Sequence, residues 1–209
     1  MTRLRRWPSF PAQLPDFDTS EVPSAPHELF LTWLAEAGEQ VLAPHAVTLS
    51  TVDAEGAPDA RVVILRDVDE HGFYVSSSAE SPKGQQLQAN PRAALTFFWP
   101  GVGRQVRARG PVSAETSAAD YRDRSPASRA EVLVGRQSEV LADPDELLRA
   151  ADEADQLVQR NQDQPPESWT RYRVEPTTVE FWQAAQDRRH VRLRYRRLGA
   201  GWVTERLWP

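Results

Sequence analysis

The chain of 209 residues contains no cysteine. Disulfides, thiolate metal sites and a cysteine nucleophile are therefore excluded. Histidine is scarce, and His27, His45, His71 and His190 are scattered with no pair at metal-ligand spacing, so no metal is expected. No apolar run approaches the roughly 20 residues that cross a bilayer. The opening "MTRLRRWPSFPAQLPDF" is basic but lacks the apolar core of a secretory signal. A cytoplasmic protein with no membrane contact is the expectation. The phosphate loops GxGxxG and GxxxxGK[ST] and the nucleophile elbow GxSxG are missing too. Lysine is almost absent: of 25 basic residues only Lys83 is not arginine. The net charge of −5 argues against a nucleic-acid partner.

What is present suits a packed β-rich domain. Apolar residues make up 40% of the chain, with seven Trp and seven Phe. Residues 1–23, rich in proline, read as an extended arm, and 24–209 as a single domain. Leu29, Phe30, Trp33, Leu34 and Ala37 recur at helical spacing after Ser24. From residue 45 the period falls to two. "HAVTLSTVD", "ARVVILRDV", "FYVSSS", "RAALTFFWP" and "RQVRARGPVSA" read as strands, with bends at Glu55-Gly56 and His71-Gly72. Between them "SPKGQQLQANP" reads as a short helix, with Ser81 as N-cap, Pro82 in the first turn and a stop at Asn90-Pro91. A helical insertion spans about 114–160, with Asp143 as N-cap and Glu146 at the capping-box position. "TRYRVEP", "TVEFWQ", "VRLRYRR" and "GWVTERL" return to strands. Strands early and late, without regular βαβ alternation, imply a mainly β, α+β fold: an antiparallel barrel or sandwich with peripheral helices.

Three stretches carry candidate chemistry, each with an ordinary structural explanation beside it. In "SPKG", Lys83 sits in a first helical turn, where the dipole disfavours a cation, so a bound anion would rationalise it. A solvent-exposed lysine on a capped helix explains it equally simply. "RVVILR" is apolar at alternate positions on both faces, which predicts a strand buried on both sides, with Arg61 and Arg66 marking the ends of the core. In "RRHVRLRYRR", Arg192, Arg194 and Arg196 share one strand face opposite Val191, Leu193 and Tyr195. That is a plain amphipathic strand, a nucleic-acid patch, or one wall of a pocket for a phosphorylated ligand, since arginine suits bidentate phosphate recognition. Arg188 and His190 precede it in a turn.

Taken in order, these stretches resemble the pyridoxamine 5′-phosphate oxidase family of flavoproteins, from about residue 45 to the end. The resemblance implies an antiparallel FMN-binding split β-barrel, a homodimer with FMN at its interface, and oxidation of pyridoxine or pyridoxamine 5′-phosphate to pyridoxal 5′-phosphate with O₂ as acceptor. It assigns FMN to Arg61, Val62, Val63, Ile64, Leu65, Arg66, Ser76, Ser77, Lys83, Gln105, Trp182 and Arg192. Gln137 and Ser138, the family's Gln-Ser pair, would reach the flavin from the other subunit. Arg66, Tyr121, Ser128, Arg188 and His190 would bind substrate, the last two as the catalytic Arg-x-His. The chain departs from the family around the substrate. The second phosphate-binding arginine falls on Ser125, flanked by Arg124 and Arg129; a Gly-Ala-Trp segment reads "EVLVG"; the arginine before Lys83 is Pro82; and a Gly-Gly pair is Thr170-Arg171. These departures leave room for two other readings: a phenazine-like tricycle as substrate, as in the related phenazine-biosynthesis oxidases, or an FMN-binding module without turnover.

Overall fold

The computed structural model describes residues 7–160 and 164–209. Helix α1 (Pro26–Gly38) is followed by strands β1 (Ala46–Val52), β2 (Pro58–Asp69) and β3 (Gly72–Ser78), helix α2 (Pro82–Ala89), and strands β4 (Arg92–Trp99) and β5 (Arg104–Glu115). Three helices follow, α3 (Ala118–Arg122), α4 (Pro126–Val134) and α5 (Pro144–Gln159). Strands β6 (Trp169–Val174), β7 (Thr178–Gln183), β8 (Val191–Leu198) and β9 (Gly201–Arg206) complete the chain. Residues 7–25 contain no helix or strand.

The strands form one antiparallel sheet in the order β4-β1-β2-β3-β6-β5-β7-β8-β9, and an added β4–β5 pairing closes the first six into a barrel. The mainly β split barrel expected from the sequence is the fold observed. Strand β5 is the hinge of this plan. Residues 104–109 pair with β7, and 112–115 pair with β6. Gly110 marks the division, because a Cβ there would lie 1.9 Å from the Glu175 carbonyl oxygen. Only glycine permits so close a backbone approach.

Helix α1 plugs the barrel with Phe30, which stacks edge-on against Phe73 and tilted against Phe97. Its Trp33 packs against Phe181 of β7. Beneath Trp33 lies a buried charge. Arg104 is 3% exposed, pairs with Glu36, donates to Gln183 Oε1 at 2.8 Å and stacks 4.2 Å from the Trp33 ring centre. Removing the guanidinium leaves Gln183 Oε1 without its donor in the interior and the Trp33 face without its cation, at a cost of about 1–3 kcal/mol. Arg104→Ala is therefore expected to lower the thermal midpoint by several degrees in a calorimetric scan, whereas the exposed Arg149→Ala leaves it unchanged.

Two local expectations need correction. Strand β2 is not buried on both sides: Leu65 is in the core, but Val62 is 67% and Ile64 42% exposed. Val62 pairs with Thr48 on β1, which pairs with Thr96 on β4. Phe98, two residues beyond Thr96, is 52% exposed on the same face. Glu146 does not close a capping box on α5 either. Asp143 accepts from the Asp145 N–H, but the Glu146 carboxylate is drawn away to Arg136 at 2.5 Å.

Candidate active site

The first group of site residues gathers around Lys83. Ser81 caps α2 by accepting from the Gly84 N–H, and the first turn presents Lys83 inward. Lys83 is only 7% exposed, and its ammonium donates to Gln137 Oε1 at 2.6 Å and to Ser81 Oγ at 3.2 Å. No carboxylate pairs with it among the described residues. Burial, and then the charge of Arg61, hold its pKa below the ordinary lysine value. Ser77 donates to the same Gln137 oxygen at 3.3 Å, while the buried Oγ of Ser76 has no partner. A buried cation without an anion among the described residues is the chemistry of an incomplete anion site.

Arg61 is nearby but partly neutralised. It pairs with Asp59 and donates to Thr51 Oγ1 at 2.5 Å and Gln86 Oε1 at 3.0 Å. Gln137 is positioned by unusual backbone: Gly135, Arg136 and Ser138 all have positive φ. Arg136 is held there by Glu139 at 2.8 Å as well as by Glu146. As non-glycine residues in this region, Arg136 and Ser138 cost about 1 kcal/mol each. Within one chain Gln137 joins Lys83 and Ser77.

A second group lies across the sheet extension. Gln105 pairs with Trp182, and Trp182 with Arg192, in one row through β5, β7 and β8. The ring of His190 lies 4.9 Å from Trp182, and its Nδ1 accepts from the Ala185 N–H at 3.0 Å. This bond places the proton of neutral His190 on Nε2. Arg188 is exposed with φ 68° in the β7–β8 turn, which the N-terminal arm braces: Gln186 donates to the Pro11 carbonyl at 2.7 Å. Phe10, from the same arm, packs 5.6 Å from Trp182. Arg192 is already engaged, donating twice to Glu180 Oε1 at 2.8–2.9 Å and to the Trp208 carbonyl at 2.8 Å. Burial works to raise the Glu180 carboxyl, but the hydrogen bonds and charges of Arg107 and Arg192 outweigh it and hold the group below its ordinary range. Arg194 and Arg196 pair with Glu205 on β9.

The residues expected to bind substrate fall between α3, α4 and β2. Arg66 occupies a bulge, since the β2–β3 register shifts between Leu65 and Asp67. A bulge re-aims its side chain, here toward Asp120 of α3 at 3.2 Å. Tyr121 is fully buried. Ser125 caps α4, and its hydroxyl donates to Ser128 Oγ at 2.9 Å. Beside them a cavity of about 520 Å³ is lined by Ser76, Ser77, Gln137, Arg124, Trp169 and the inner faces of α4 and α5. Ser128 does not line it. Sequence reasoning missed Asp120, Trp169, Glu180 and Phe10. Each is a partner of a predicted residue across a long sequence separation, and no local pattern marks it.

Comparison with known proteins gives this geometry its class. Residues 34–183 match the family model described as pyridoxamine 5′-phosphate oxidase, and residues 169–209 match the pyridoxine 5′-phosphate oxidase C-terminal dimerisation region. The chain belongs to the pyridoxamine 5′-phosphate oxidase family and is an oxidase of that type. It is 43% identical over 196 residues to the pyridoxine/pyridoxamine 5′-phosphate oxidase of Pseudomonas syringae pv. tomato, covering 91% of each chain. The corresponding oxidase of Azotobacter vinelandii is also 43% identical over 91% of each. Among solved structures, PhzG from Burkholderia lata, in complex with tetrahydrophenazine-1-carboxylic acid, superposes with a TM-score of 0.84 at 30% identity, covering 97% of this chain and all of that one. A pyridoxamine 5′-phosphate oxidase-related, FMN-binding protein from Nostoc punctiforme shares the fold, with a TM-score of 0.72 at 18% identity.

No helix among the described residues is long and apolar enough to cross a membrane.

Proposed function

We propose that this chain is an FMN-dependent oxidase that converts pyridoxine or pyridoxamine 5′-phosphate to pyridoxal 5′-phosphate, with O₂ as acceptor. The observation that carries the reading is the buried Lys83, which has no carboxylate partner among the described residues and shares the Gln137 oxygen with Ser77. A phosphate monoester supplies the missing charge and acceptors. The residues present fit FMN: Lys83, Ser76 and Ser77 would hold its phosphate, with Arg61 adding positive potential from the side. Bound FMN supplies the two-electron chemistry that no side chain here provides.

The protein's own contribution is binding and orientation. Arg66, re-aimed by its bulge, offers a guanidinium to the substrate phosphate. His190, with its proton on Nε2, donates to a substrate oxygen while Trp182 fixes its ring. Arg188 closes over the same region from a turn held left-handed by its neighbours.

The two groups belong to one site only in a homodimer. In the sheet, β2 and β7 are four strand spacings apart by either route around the barrel. The exposed Val62, Ile64 and Phe98 lie on the outer face between the groups. An isologous contact on that face brings the Lys83 group of one chain to the Trp182 group of its partner. FMN then sits at the interface.

A second reading has one specific support, the resemblance to PhzG with its bound tricyclic acid. Steady-state oxygen consumption separates the two. Pyridoxine 5′-phosphate is expected to be turned over with formation of pyridoxal 5′-phosphate; turnover of a dihydrophenazine carboxylic acid alone would assign the second reading instead.

A further inference from the structure

Lys83 and Arg61 are the two cations assigned above to the FMN phosphate, and the chain treats them differently. Lys83 has no carboxylate partner among the described residues. Arg61 has one: Asp59, two residues earlier on the same face of β2, pairs with it through Oδ2.

Both terminal nitrogens of Arg61 are occupied. Nη1 donates to the Leu49 carbonyl at 3.3 Å and to Thr51 Oγ1 at 2.5 Å. Nη2 donates to Gln86 Oε1 at 3.0 Å and to Asp59. A terminal guanidinium nitrogen has two hydrogens to give, so the fork is fully used. Asp59 is held in its turn: Gln86 Nε2 donates to its Oδ2 at 3.1 Å, and the Ala60 N–H donates to its Oδ1 at 2.7 Å. A phosphate takes a forked contact from this guanidinium only if one of its acceptors gives way.

The surroundings decide which one. Leu49 pairs with Arg61 in the β1–β2 ladder, and Thr51 is 1% exposed. Gln86 is tied to both Thr51 and Asp59. The Asp59 side chain is 48% exposed, so its carboxylate can turn to water. An ion pair this exposed is weakly held. Arg61 also lies close enough to Lys83 for its charge to oppose the ammonium, so an anion seated on Lys83 is within its reach.

On the reading that FMN binds at Lys83, we propose that Asp59 is a specificity-determining residue for the cofactor: it is a built-in counterion that the FMN phosphate displaces from Arg61. The exchange weakens the binding of the phosphate alone. Asp59 thereby sets how strongly the chain prefers FMN to unphosphorylated riboflavin.

The test titrates the full-length apoprotein with FMN and with riboflavin and follows flavin fluorescence. Asp59→Asn removes the charge and keeps the shape. It is expected to lower the Kd for FMN by roughly fivefold, the size of an exposed ion pair, and to leave the Kd for riboflavin unchanged. Asp59→Ser gives the same gain and decides the matter where Asp59→Asn does not fold. In an Arg61→Gln background either substitution gains nothing, because no guanidinium is released. A purely structural role, in which Asp59 braces Arg61 for the phosphate, has the opposite sign. Weaker or unchanged FMN binding in the folded variants therefore overturns the assignment, as does a gain that persists beside Arg61→Gln. If the wild type binds FMN no more tightly than riboflavin, the reading of a phosphate at Lys83 fails separately. Calorimetric titration with inorganic phosphate then decides the counterion: tighter binding in Asp59→Asn supports it, and equal binding overturns it.

Discussion

Replacing Lys83 with glutamine is expected to weaken FMN binding by roughly a hundredfold, in line with the cost of removing one partner of a buried, hydrogen-bonded charge pair. The expectation rests on burial and on the missing anion. Lys83 is 7% exposed, donates among the described residues only to neutral oxygens, and faces the positive charge of Arg61. The same facts give a pH dependence with a definite sign. The folded pKa lies below the unfolded value of 10.5 because burial, then Arg61, disfavours the ammonium. In the free protein the charged lysine therefore costs stability, fully so below its folded pKa. That cost is relieved as pH rises between the folded and unfolded values. A bound phosphate reverses the preference by favouring the ammonium. FMN affinity is thus greatest while Lys83 is protonated and falls as pH climbs through its lowered pKa, before 10.5 is reached. Lys83→Arg, charged throughout, flattens the profile. Fluorescence titrations of the apoprotein across the alkaline range check both points; a Lys83→Gln protein that binds FMN like wild type would remove the phosphate assignment.

Mixed dimers are expected to recover activity that neither parent has. One parent carries Lys83→Gln, disabling the first group; the other carries Trp182→Ala together with His190→Ala, disabling the second. If each site combines the first group of one chain with the second group of its partner, a hybrid dimer contains one wholly intact site and one doubly damaged site. Unfolding and refolding an equimolar mixture makes half the dimers hybrid, so activity returns to about a quarter of wild type. Sites built within single chains return no activity on mixing. The prediction follows from the dimer proposed above: Ser77 of the first group lies on β3, three strand spacings from Trp182 on β7, and Val62, Ile64 and Phe98 are exposed on the outer face.

Much of this was legible in the sequence because it is written locally. Alternation along residues 45–115 and 169–206 marked the strands, and Ser81-Pro82 marked the start of α2. Lys83 stood out against a background of arginine. What local pattern cannot show is who pairs with whom. Arg192 reads as free to bind an anion, but Glu180, opposite it on the neighbouring strand, takes two of its donors. That Gln137 meets Lys83 within its own chain, beside three positive-φ neighbours, is likewise invisible in local pattern. The alternation in "RVVILR" reads as burial on both faces, although one chain covers only one of them. That last departure is what motivates the dimer proposed above, since exposed apolar side chains on a barrel wall suit a contact with a second copy.

The most direct test of the account is anaerobic. Protein loaded with FMN is mixed with pyridoxine 5′-phosphate in the absence of oxygen, and the flavin absorbance is followed. The account predicts bleaching, return of the yellow colour when air is admitted, and one pyridoxal 5′-phosphate formed per flavin reduced. Bound flavin that stays yellow through the mixing would contradict it, leaving the cofactor site in place and removing the phosphorylated B6 compound as substrate.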